Sequence, residues 1–377
     1  MKGIPEFVSK ETWDKVLNYI ARSDEETPYL LIDKDVVRDK VNRIGKGVRN
    51  SKFFYAVKAN PDENVLEYIN SLGAGFEIAS EGELRILAKF GVDPQRIITS
   101  NPMKTYKFLR EAVDYGVNMF AYDSMVEVEK MAKHAPGSNV YVRITVPNEG
   151  SEWPLSKKFG VEIEEAVELL KAAKESGLNP VGVTFHVGSQ CTNVYNWSFA
   201  LEKVREVYEA AERNGMKLKM IDIGGGYPIK YLKNVVEIEE IEEKIDRAVQ
   251  EKFSDDVEIF IEPGRAVIGE SGIFVSTVIG KAARGDENWL YIDVGVFNGL
   301  MESIGGIKYN YVVGSKNDPK LWTIAGPSCD SMDVIDKEVE LPEPEPGNMI
   351  LLPSTGAYTV SYASEFNGFS IPRAILI

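Results

Sequence analysis

The chain has 377 residues, 44% of them hydrophobic, so it can bury a sizeable core in two domains or in one large barrel with an appendage. Its formal net charge of −15 argues against nucleic acid as a partner. Two cysteines are too few for a disulfide framework, no apolar run is long enough to span a bilayer, and the first residues lack a signal-peptide core, so we expect a soluble cytoplasmic protein.

The first 35 residues come before a long regular pattern. They contain one apolar run with the length of a strand, Tyr29–Ile32. We expect residues 1–35 to pack with the C-terminal part of the chain.

From about residue 36, short apolar runs alternate with amphipathic segments that end in glycine. The eight runs are Lys52–Lys58, Gly75–Ala79, Arg96–Ser100, Met119–Tyr122, Val140–Val146, Val181–Val187, Met220–Ile223 and Val257–Ile261. Each has the length of a buried parallel strand. Helical spacing is found in Asn64–Leu72, Ile163–Gly177, Trp197–Gly215 and Val236–Phe253, and Ser80–Glu83 has the form of a capping box. A doubly wound open sheet rarely contains eight such units, so the sequence predicts an α/β fold with a (β/α)8 TIM-like barrel over residues 36–268.

After Gly264 turn residues replace the helical segments. Four runs have the pattern of strands, namely Ile273–Ala282, Trp289–Val294, Lys320–Ala325 and Met349–Leu352. The proline-rich stretch Leu341–Gly347 is typical of a surface loop. We therefore predict a C-terminal β-rich domain, like a β-sandwich or barrel, formed by residues 269–377 and completed by residues 1–35.

Polar residues and glycines follow the predicted strands at the end of the barrel where function is expected. They are Lys58, Glu77, Arg143, His186, the triplet Gly224, Gly225 and Gly226, and then Glu262, Gly264 and Arg265. Burial would lower the pKa of Lys58 and free its amine for covalent chemistry with a carbonyl. Taken alone, a solvated lysine at the barrel mouth explains Lys58 equally well.

One cofactor would account for the glycines and for three of the side chains, Arg265, Glu262 and His186. Glycines let backbone N–H groups approach a phosphate closely, and Arg265 adds a positive fork, although a glycine triplet can also make only a tight turn. Glu262 could keep a pyridine nitrogen protonated, or it could form an ion pair with Arg143. His186 could lie against a planar ring or in the core, and two histidines supply no metal site. Together these residues describe a pyridoxal-phosphate site.

Eight motifs also carry a family resemblance. They are FYAVKAN (54–60), FEIAS (76–80), FHVGSQ (185–190), DIGGGYP (222–228), EPGR (262–265), GPSCDSMD (326–333), GAYT (356–359) and FNGF (366–369). From Thr27 to Phe369 the sequence resembles the ornithine decarboxylase-like group of fold-type III pyridoxal-phosphate enzymes, especially bacterial lysine/ornithine decarboxylases. The resemblance implies decarboxylation of ornithine or lysine to putrescine or cadaverine, in polyamine biosynthesis.

The resemblance also implies roles for individual residues. Lys58 would carry pyridoxal 5'-phosphate covalently, His186 would stack on its ring, and Glu262 would pair with the ring nitrogen. Glu77 and Arg143 would support the cofactor and Lys58. The phosphate would be held by Ser189, Gly224, Gly225, Gly226, Gly264, Arg265 and Tyr358. Cys329 would return a proton to the α-carbon and Asp330 would bind the distal amine, both from the partner subunit of a homodimer.

One segment departs from the bacterial relatives. Residues 294–309 correspond to the short helix that fixes substrate length, and Gly305-Gly306 stands where an acidic pair is usual. Asn298-Gly299 stands where a pair of glycines is usual. The resemblance places Phe297, Glu302 and Phe366 with Asp330 in the substrate site, and we expect Glu302 to help read the distal amine.

Three other functions stay open. The first is a decarboxylase of the same fold acting on diaminopimelate or carboxynorspermidine, although diaminopimelate enzymes typically have glutamate where Asp330 stands. An alanine racemase-like role fits Glu262 poorly. The second is a catalytically silent homologue that binds and regulates a partner, and the third is a cofactor carrier built from the barrel alone. Against the silent homologue stand five retained residues, Lys58, Glu262, Cys329, Asp330 and Tyr358. The C-terminal domain, with its own site motifs, would have no purpose in a cofactor carrier.

Overall fold

A computed structural model describes residues 4–153 and 158–377, so the first three residues of the predicted N-terminal segment lie outside the described part. Within this part, no helix combines the length and the apolar character that a membrane crossing requires. The chain begins with helix α1 (Lys10–Arg22) and strand β1 (Tyr29–Ile32). Ser9 caps α1, because its side chain accepts a hydrogen bond from the N–H of Thr12 at 3.0 Å.

The middle of the chain forms a barrel. The strands in this part of the chain are β2 (Ser51–Ala56), β3 (Gly75–Glu77), β4 (Ile97–Ile98), β5 (Met119–Tyr122), β6 (Asn139–Arg143), β7 (Ser151–Trp153), β8 (Asn179–Thr184), β9 (Ser189–Cys191), β10 (Met220–Asp222) and β11 (Glu258–Ile261). All except β7 and β9, which pair with each other, form one parallel sheet in the order β4-β3-β2-β11-β10-β8-β6-β5. Thr99 and Phe120 join its two ends through a parallel bridge, so the predicted (β/α)8 barrel is confirmed.

Helices precede, connect and follow these strands. They are α2 (Lys34–Arg43), α3 (Glu63–Ser71), α4 (Glu81–Lys89), α5 (Tyr106–Tyr115), α6 (Met125–His134), α7 (Ile163–Glu175), α8 (Tyr195–Arg213), α9 (Ile238–Lys252) and α10 (Arg265–Ile268). The predicted capping box is present at α4: the Ser80 hydroxyl accepts from the N–H of Glu83 at 3.3 Å, and the Glu83 carboxylate accepts from the N–H of Ala79 at 2.6 Å.

The C-terminal residues form a second, mixed sheet. Its strands are β12 (Gly272–Arg284), β13 (Glu287–Ile292), β14 (Val312–Val313), β15 (Pro319–Ala325), β16 (Val334–Pro342), β17 (Met349–Pro353) and β18 (Ala374–Leu376). Strand β1 pairs antiparallel with β12 and parallel with β18, so the N-terminal segment completes this β domain as predicted.

The sequence did not indicate β14, β16 or β18. The loop predicted over Leu341–Gly347 begins later, because Leu341 and Pro342 end β16 and pair with Lys320 and Pro319 of β15. Strand β16 contains several charged residues, as is usual for a strand at a sheet edge. These charges interrupt the alternation of apolar and polar residues by which a strand is recognised in the sequence.

The two domains meet through very close backbone packing. A Cβ added to Gly356 would lie 1.9 Å from the carbonyl oxygen of Ile268, so only glycine fits there. Two residues later, the N–H of Tyr358 donates to the carbonyl of Ala59 at 2.8 Å. This contact brings Tyr358 of the β domain to the mouth of the barrel.

Candidate active site

A cavity of about 300 Å³ lies where the barrel strands end. The predicted residues that line it are Lys58, Glu77, Arg143, His186, Ser189, Gly225, Gly226, Glu262, Gly264, Arg265 and Tyr358. Because these residues come from distant parts of the sequence, only the closed barrel and the docked β domain bring them together.

Lys58 reaches into this cavity from a short turn that follows β2. Its Nζ lies 2.9 Å from Oε2 of Glu77, and the lysine side chain is 48% exposed whereas that of Glu77 is 2% exposed. Burial opposes the charge on the amine, but Glu77, Tyr358 and Glu262 together raise the pKa of Lys58 above its usual range. Burial acts on Lys58 in the expected direction, but the nearby carboxylates outweigh it, so the net pKa is raised and not lowered.

His186 is held as a neutral ring. Its Nδ1 accepts a hydrogen bond from the N–H of Gly188 at 2.9 Å, which places the ring proton on Nε2. Burial, with the charges of Arg143 and Lys58, lowers the pKa of His186 to about 3. An uncharged imidazole at the cavity wall suits packing against a planar ring.

Glu262 shares a buried hydrogen-bond network with residues that sequence reasoning missed. The Ser100 hydroxyl contacts Glu262 and also lies 3.3 Å from Oδ2 of Asp222, which accepts from Thr184 at 2.7 Å. Burial and the nearby Asp222 raise the pKa of Glu262, and burial raises the pKa of Asp222 to about 6. Across residues 4–153 and 158–377 no ion pair joins Glu262 to Arg143.

The glycines form a cradle in which side chains have no room. A Cβ on Gly225 would lie 2.5 Å from the carbonyl oxygen of Glu262, and one on Gly226 would lie 2.6 Å from that of Gly188. Both glycines line the cavity together with the hydroxyl-bearing Ser189 and Tyr358. Backbone N–H groups and hydroxyls of this kind suit a phosphate.

Gly224 does not belong to this cradle. Its N–H donates to Oδ1 of Asp222 at 2.9 Å and is therefore already used. The prediction that Gly224 holds the phosphate is corrected to a role in shaping the turn, where its φ is +63°.

Arg265 and Glu302 contact each other in a way the sequence did not predict. Both outer nitrogens of the guanidinium bind Glu302 oxygens at 2.6 Å, and both side chains are buried. The expectation that Glu302 reads the distal amine is therefore corrected, because its two oxygens face Arg265. Tyr231, which the sequence reasoning also missed, accepts from Arg265 at 2.5 Å.

The remaining predicted residues lie outside this cavity. Cys329 is exposed, and its N–H and Sγ both donate to Oδ1 of Asn367, at 3.2 and 3.4 Å. The rings of Phe297 and Phe366 pack with centroids 4.6 Å apart, and Asp330 follows Cys329 on the same loop. These residues form a second group on the β domain.

Asp333 fixes this second group. Its Oδ1 accepts from the N–H of Val296 at 2.7 Å and its Oδ2 accepts from the N–H of Ser328 at 2.9 Å. The carboxylate therefore ties the loop that carries Cys329 to the segment that carries Phe297. The motif GPSCDSMD had indicated this loop but not the role of its last residue.

Glu83, in the first turn of α4, lies close enough to Glu77 for the two carboxyl groups to interact. Its titration therefore provides a test of the electrostatics around Lys58 and Glu77. Burial and Glu77 raise the pKa of Glu83 from its ordinary value of 4.5 to about 7. Because the folded state holds this proton to higher pH than the unfolded state, the free energy of unfolding falls as pH rises from 4.5 to about 7 and stays lower above. Glu83→Gln should therefore stabilise the protein at pH 8 by about 1–3 kcal/mol relative to wild type, and by less at pH 5.

Urea unfolding of both proteins at the two pH values measures this difference. Glu81→Gln, in the same first turn of α4, controls for the loss of a negative charge at the helix N-terminus. An equal effect of Glu83→Gln on the free energy of unfolding at both pH values would contradict the raised pKa of Glu83.

Comparison with known proteins agrees with this geometry. Residues 34–269 match the family model described as pyridoxal-dependent decarboxylase, pyridoxal binding domain. The chain is 36% identical to the lysine/ornithine decarboxylase of Selenomonas ruminantium, over 93% of this chain and 89% of that protein. It is 33% identical to antizyme inhibitor 2 of Xenopus laevis, over 98% of this chain and 86% of that protein. The crystal structure of lysine/ornithine decarboxylase complexed with putrescine from Vibrio vulnificus superposes with a TM-score of 0.89 at 30% identity, over 98% of this chain and 99% of that one.

Proposed function

Since the chain belongs to the pyridoxal-dependent decarboxylases, we propose that its substrate is a linear basic amino acid, ornithine or lysine, and that a second copy of the chain completes its active site. The chain is a decarboxylase that uses pyridoxal 5'-phosphate. The observation that carries this conclusion is a single cavity lined by an amine (Lys58), a buried carboxyl group (Glu262) and a glycine cradle. The cofactor requires all three: an amine for its aldehyde, an acid for its ring nitrogen and donors for its phosphate.

Each residue that we assign to this cavity has a separate role in holding the cofactor. Pyridoxal 5'-phosphate, when bound, withdraws electrons from the α-carbon of the substrate as carbon dioxide leaves. Lys58 Nζ is the amine to which the cofactor attaches, and Glu77 holds that nitrogen in place. Glu262 holds a proton at the cofactor's ring nitrogen, while the neutral His186 supports the ring without adding charge.

Protonation of the α-carbon needs a further acid, and we assign it to the Cys329 thiol of a second copy. Cys329, Asp330, Phe297 and Phe366 do not line the cavity of their own chain. Cys329 and Phe366 are instead exposed at the surface of the β domain. We infer that the β domain of one copy covers the barrel of another, so that this thiol and this carboxylate reach a substrate there.

Two exposed apolar groups support such an assembly. Met103, Tyr106, Met125 and Val126 follow β4 and β5 at the cavity end of the barrel, and all four are exposed. On the β domain, Met301, Ile304, Met332 and Tyr362 are exposed in the segments that carry the second group. Apolar side chains concentrated in this way are typical of an interface, so we propose a homodimer with shared sites.

The alternatives receive less support. Similarity to antizyme inhibitor 2 would suit a silent regulator, but the chain keeps Lys58, Glu262, Cys329 and Asp330. A diaminopimelate enzyme must bind a distal carboxylate, and Arg265, the buried guanidinium next to the glycine cradle, is already bound by Glu302. A distal ammonium requires a carboxylate instead, which Asp330 supplies in our proposal.

Asp330→Ala tests the substrate assignment. It should lower kcat/KM for both lysine and ornithine by a factor that corresponds to about 2–5 kcal/mol, because the distal ammonium loses its charge partner. We expect wild type to use both amino acids, since one methylene is worth only about 1–3 kcal/mol even in a well-formed pocket, and Gly305-Gly306 loosens this one. The measurement is kcat/KM for lysine, ornithine, arginine and diaminopimelate, with product amines identified.

Asp330→Glu, which keeps the charge, is the matched variant and should lose less activity than Asp330→Ala. Preference of the wild type for diaminopimelate would overturn the assignment. An Asp330→Ala enzyme that acts normally on both basic amino acids would do the same.

A further inference from the structure

A serine hydroxyl at the cavity wall contacts two buried carboxyl groups, and the roles proposed above do not account for it. Ser100 is 7% exposed and lines the cavity. Its Oγ contacts Oε1 of Glu262, and it lies 3.3 Å from Oδ2 of Asp222 and 2.9 Å from the hydroxyl oxygen of Tyr141. A hydroxyl has one proton, so the direction of each of these contacts depends on the protons of the neighbouring groups.

The proton of the carboxyl pair belongs on Glu262 and the charge on Asp222. Asp222 accepts hydrogen bonds from two other donors, the Thr184 hydroxyl at 2.7 Å and the N–H of Gly224 at 2.9 Å. Donors of this kind stabilise a carboxylate. Burial and the charge of Asp222 raise the pKa of Glu262, which agrees with a neutral Glu262 next to a charged Asp222.

With that proton on Glu262, the hydroxyl groups form a chain of hydrogen bonds in one direction. Tyr141 donates to the carbonyl of Thr99 at 2.9 Å. Burial and the nearby carboxyl groups raise the pKa of Tyr141, so Tyr141 keeps its proton. The Tyr141 oxygen can then accept from Ser100, and the Ser100 oxygen can accept from Glu262. Each of these contacts has one proton.

We propose that Ser100 is a positioning residue for Glu262, because its hydroxyl accepts from Glu262 when that group is protonated and donates to it when it is a carboxylate. The inference rests on the proposed role of Glu262, which gives its proton to the ring nitrogen of the cofactor. The hydroxyls of Ser100 and Tyr141 then turn toward Glu262 and Ser100, and their protons stay on their own oxygens. The Thr99 carbonyl, which Tyr141 leaves, keeps its hydrogen bond from the N–H of Ala121 at 2.8 Å.

This reversal favours the state of the site in which the ring nitrogen has the proton. A hydrogen bond to a carboxylate is roughly twice as strong as one between neutral groups. Ser100 therefore stabilises Glu262 more after the loss of its proton than before. An alanine at position 100 would leave the new carboxylate without this donor, next to Asp222 with its charge of the same sign.

Ser100→Ala tests the proposal on the full-length protein through cofactor binding. We expect its dissociation constant for pyridoxal 5'-phosphate to rise by about tenfold, the difference between a hydrogen bond to a charged group and one to a neutral group. The comparison ligand is the carbon analogue of the cofactor, in which C–H replaces the ring nitrogen. This analogue takes no proton from Glu262, so Ser100→Ala should bind it within about twofold of wild type.

Two variants separate this role from a general effect on the cavity. Ser189→Ala also removes a serine hydroxyl, but from the part of the cavity that suits the phosphate. It should weaken the cofactor and the carbon analogue by the same factor, because both ligands have the phosphate. Tyr141→Phe leaves Ser100 able to donate to Glu262, so it should weaken the cofactor less than Ser100→Ala does.

Equal losses for the two ligands in Ser100→Ala, or no loss for either, would overturn the proposal. A loss of cofactor affinity in Tyr141→Phe greater than that in Ser100→Ala would also overturn it. Glu262→Gln tests the role of Glu262 itself and should weaken the cofactor far more than the carbon analogue. If Glu262→Gln does not distinguish the two ligands, the role assigned to Glu262 fails. If it distinguishes them and Ser100→Ala does not, the role of Ser100 alone fails.

Discussion

Lys58→Ala is expected to abolish covalent binding of the cofactor and to lower kcat by at least about 10³, because the reaction loses the amine to which the cofactor attaches. Borohydride treatment of the wild type loaded with pyridoxal 5'-phosphate should remove its visible absorbance and fix the cofactor to the peptide that contains residues 54–60. The variant should retain no reduced adduct, although it can still bind the cofactor reversibly.

A second lysine in the cavity is an alternative to Lys58 as the residue that binds the cofactor covalently. Lys158 also lines the cavity, and its Nζ lies 5.0 Å from the centroid of the Phe159 ring. Lys158→Ala should keep the covalent adduct on Lys58. Lys52→Ala, an exposed lysine on the same strand β2, serves as a second control. Mapping the reduced adduct to Lys158 in the wild type would show that the nucleophile had been assigned wrongly.

The barrel was predictable because its signals are local. Each buried strand is a short apolar run, and the polar residue that follows it, such as Lys58 after β2 or Glu262 after β11, marks the end where parallel strands meet. Even β4, with only two residues, lies within the predicted run Arg96–Ser100. The glycine triplet was predictable as a group but not residue by residue, since Gly225 and Gly226 line the cavity whereas Gly224 shapes the turn.

The missed features depend on contacts between residues far apart in sequence. Ser100 and Glu262 are 162 positions apart, and Arg265 and Glu302 are 37 apart. Nothing local in the segment around Glu302 indicates that its carboxylate faces an arginine rather than a substrate. The raised pKa of Lys58 has the same origin, because Glu77 belongs to the neighbouring strand and not to the motif FYAVKAN. Periodicity predicts where a side chain stands but not which group it meets.

The active site should also be divisible between two chains. Lys58→Ala and Cys329→Ala proteins should each be nearly inactive, and mixing them should restore about a quarter of the wild-type activity. Equal mixing with free exchange makes half of the dimers mixed, and each mixed dimer has one intact site of two under two-fold symmetry. The measurement is decarboxylase activity after exchange, with the mixed species quantified through different affinity tags.

A second mixture makes this result specific to a shared site. Lys58 and Glu262 line the same cavity of a single chain. Mixing Lys58→Ala with Glu262→Ala must therefore leave every site with at least one defect, and activity should stay near zero. If the mixture of Lys58→Ala and Cys329→Ala stays equally inactive although mixed dimers are present, Cys329 acts in the site of its own chain.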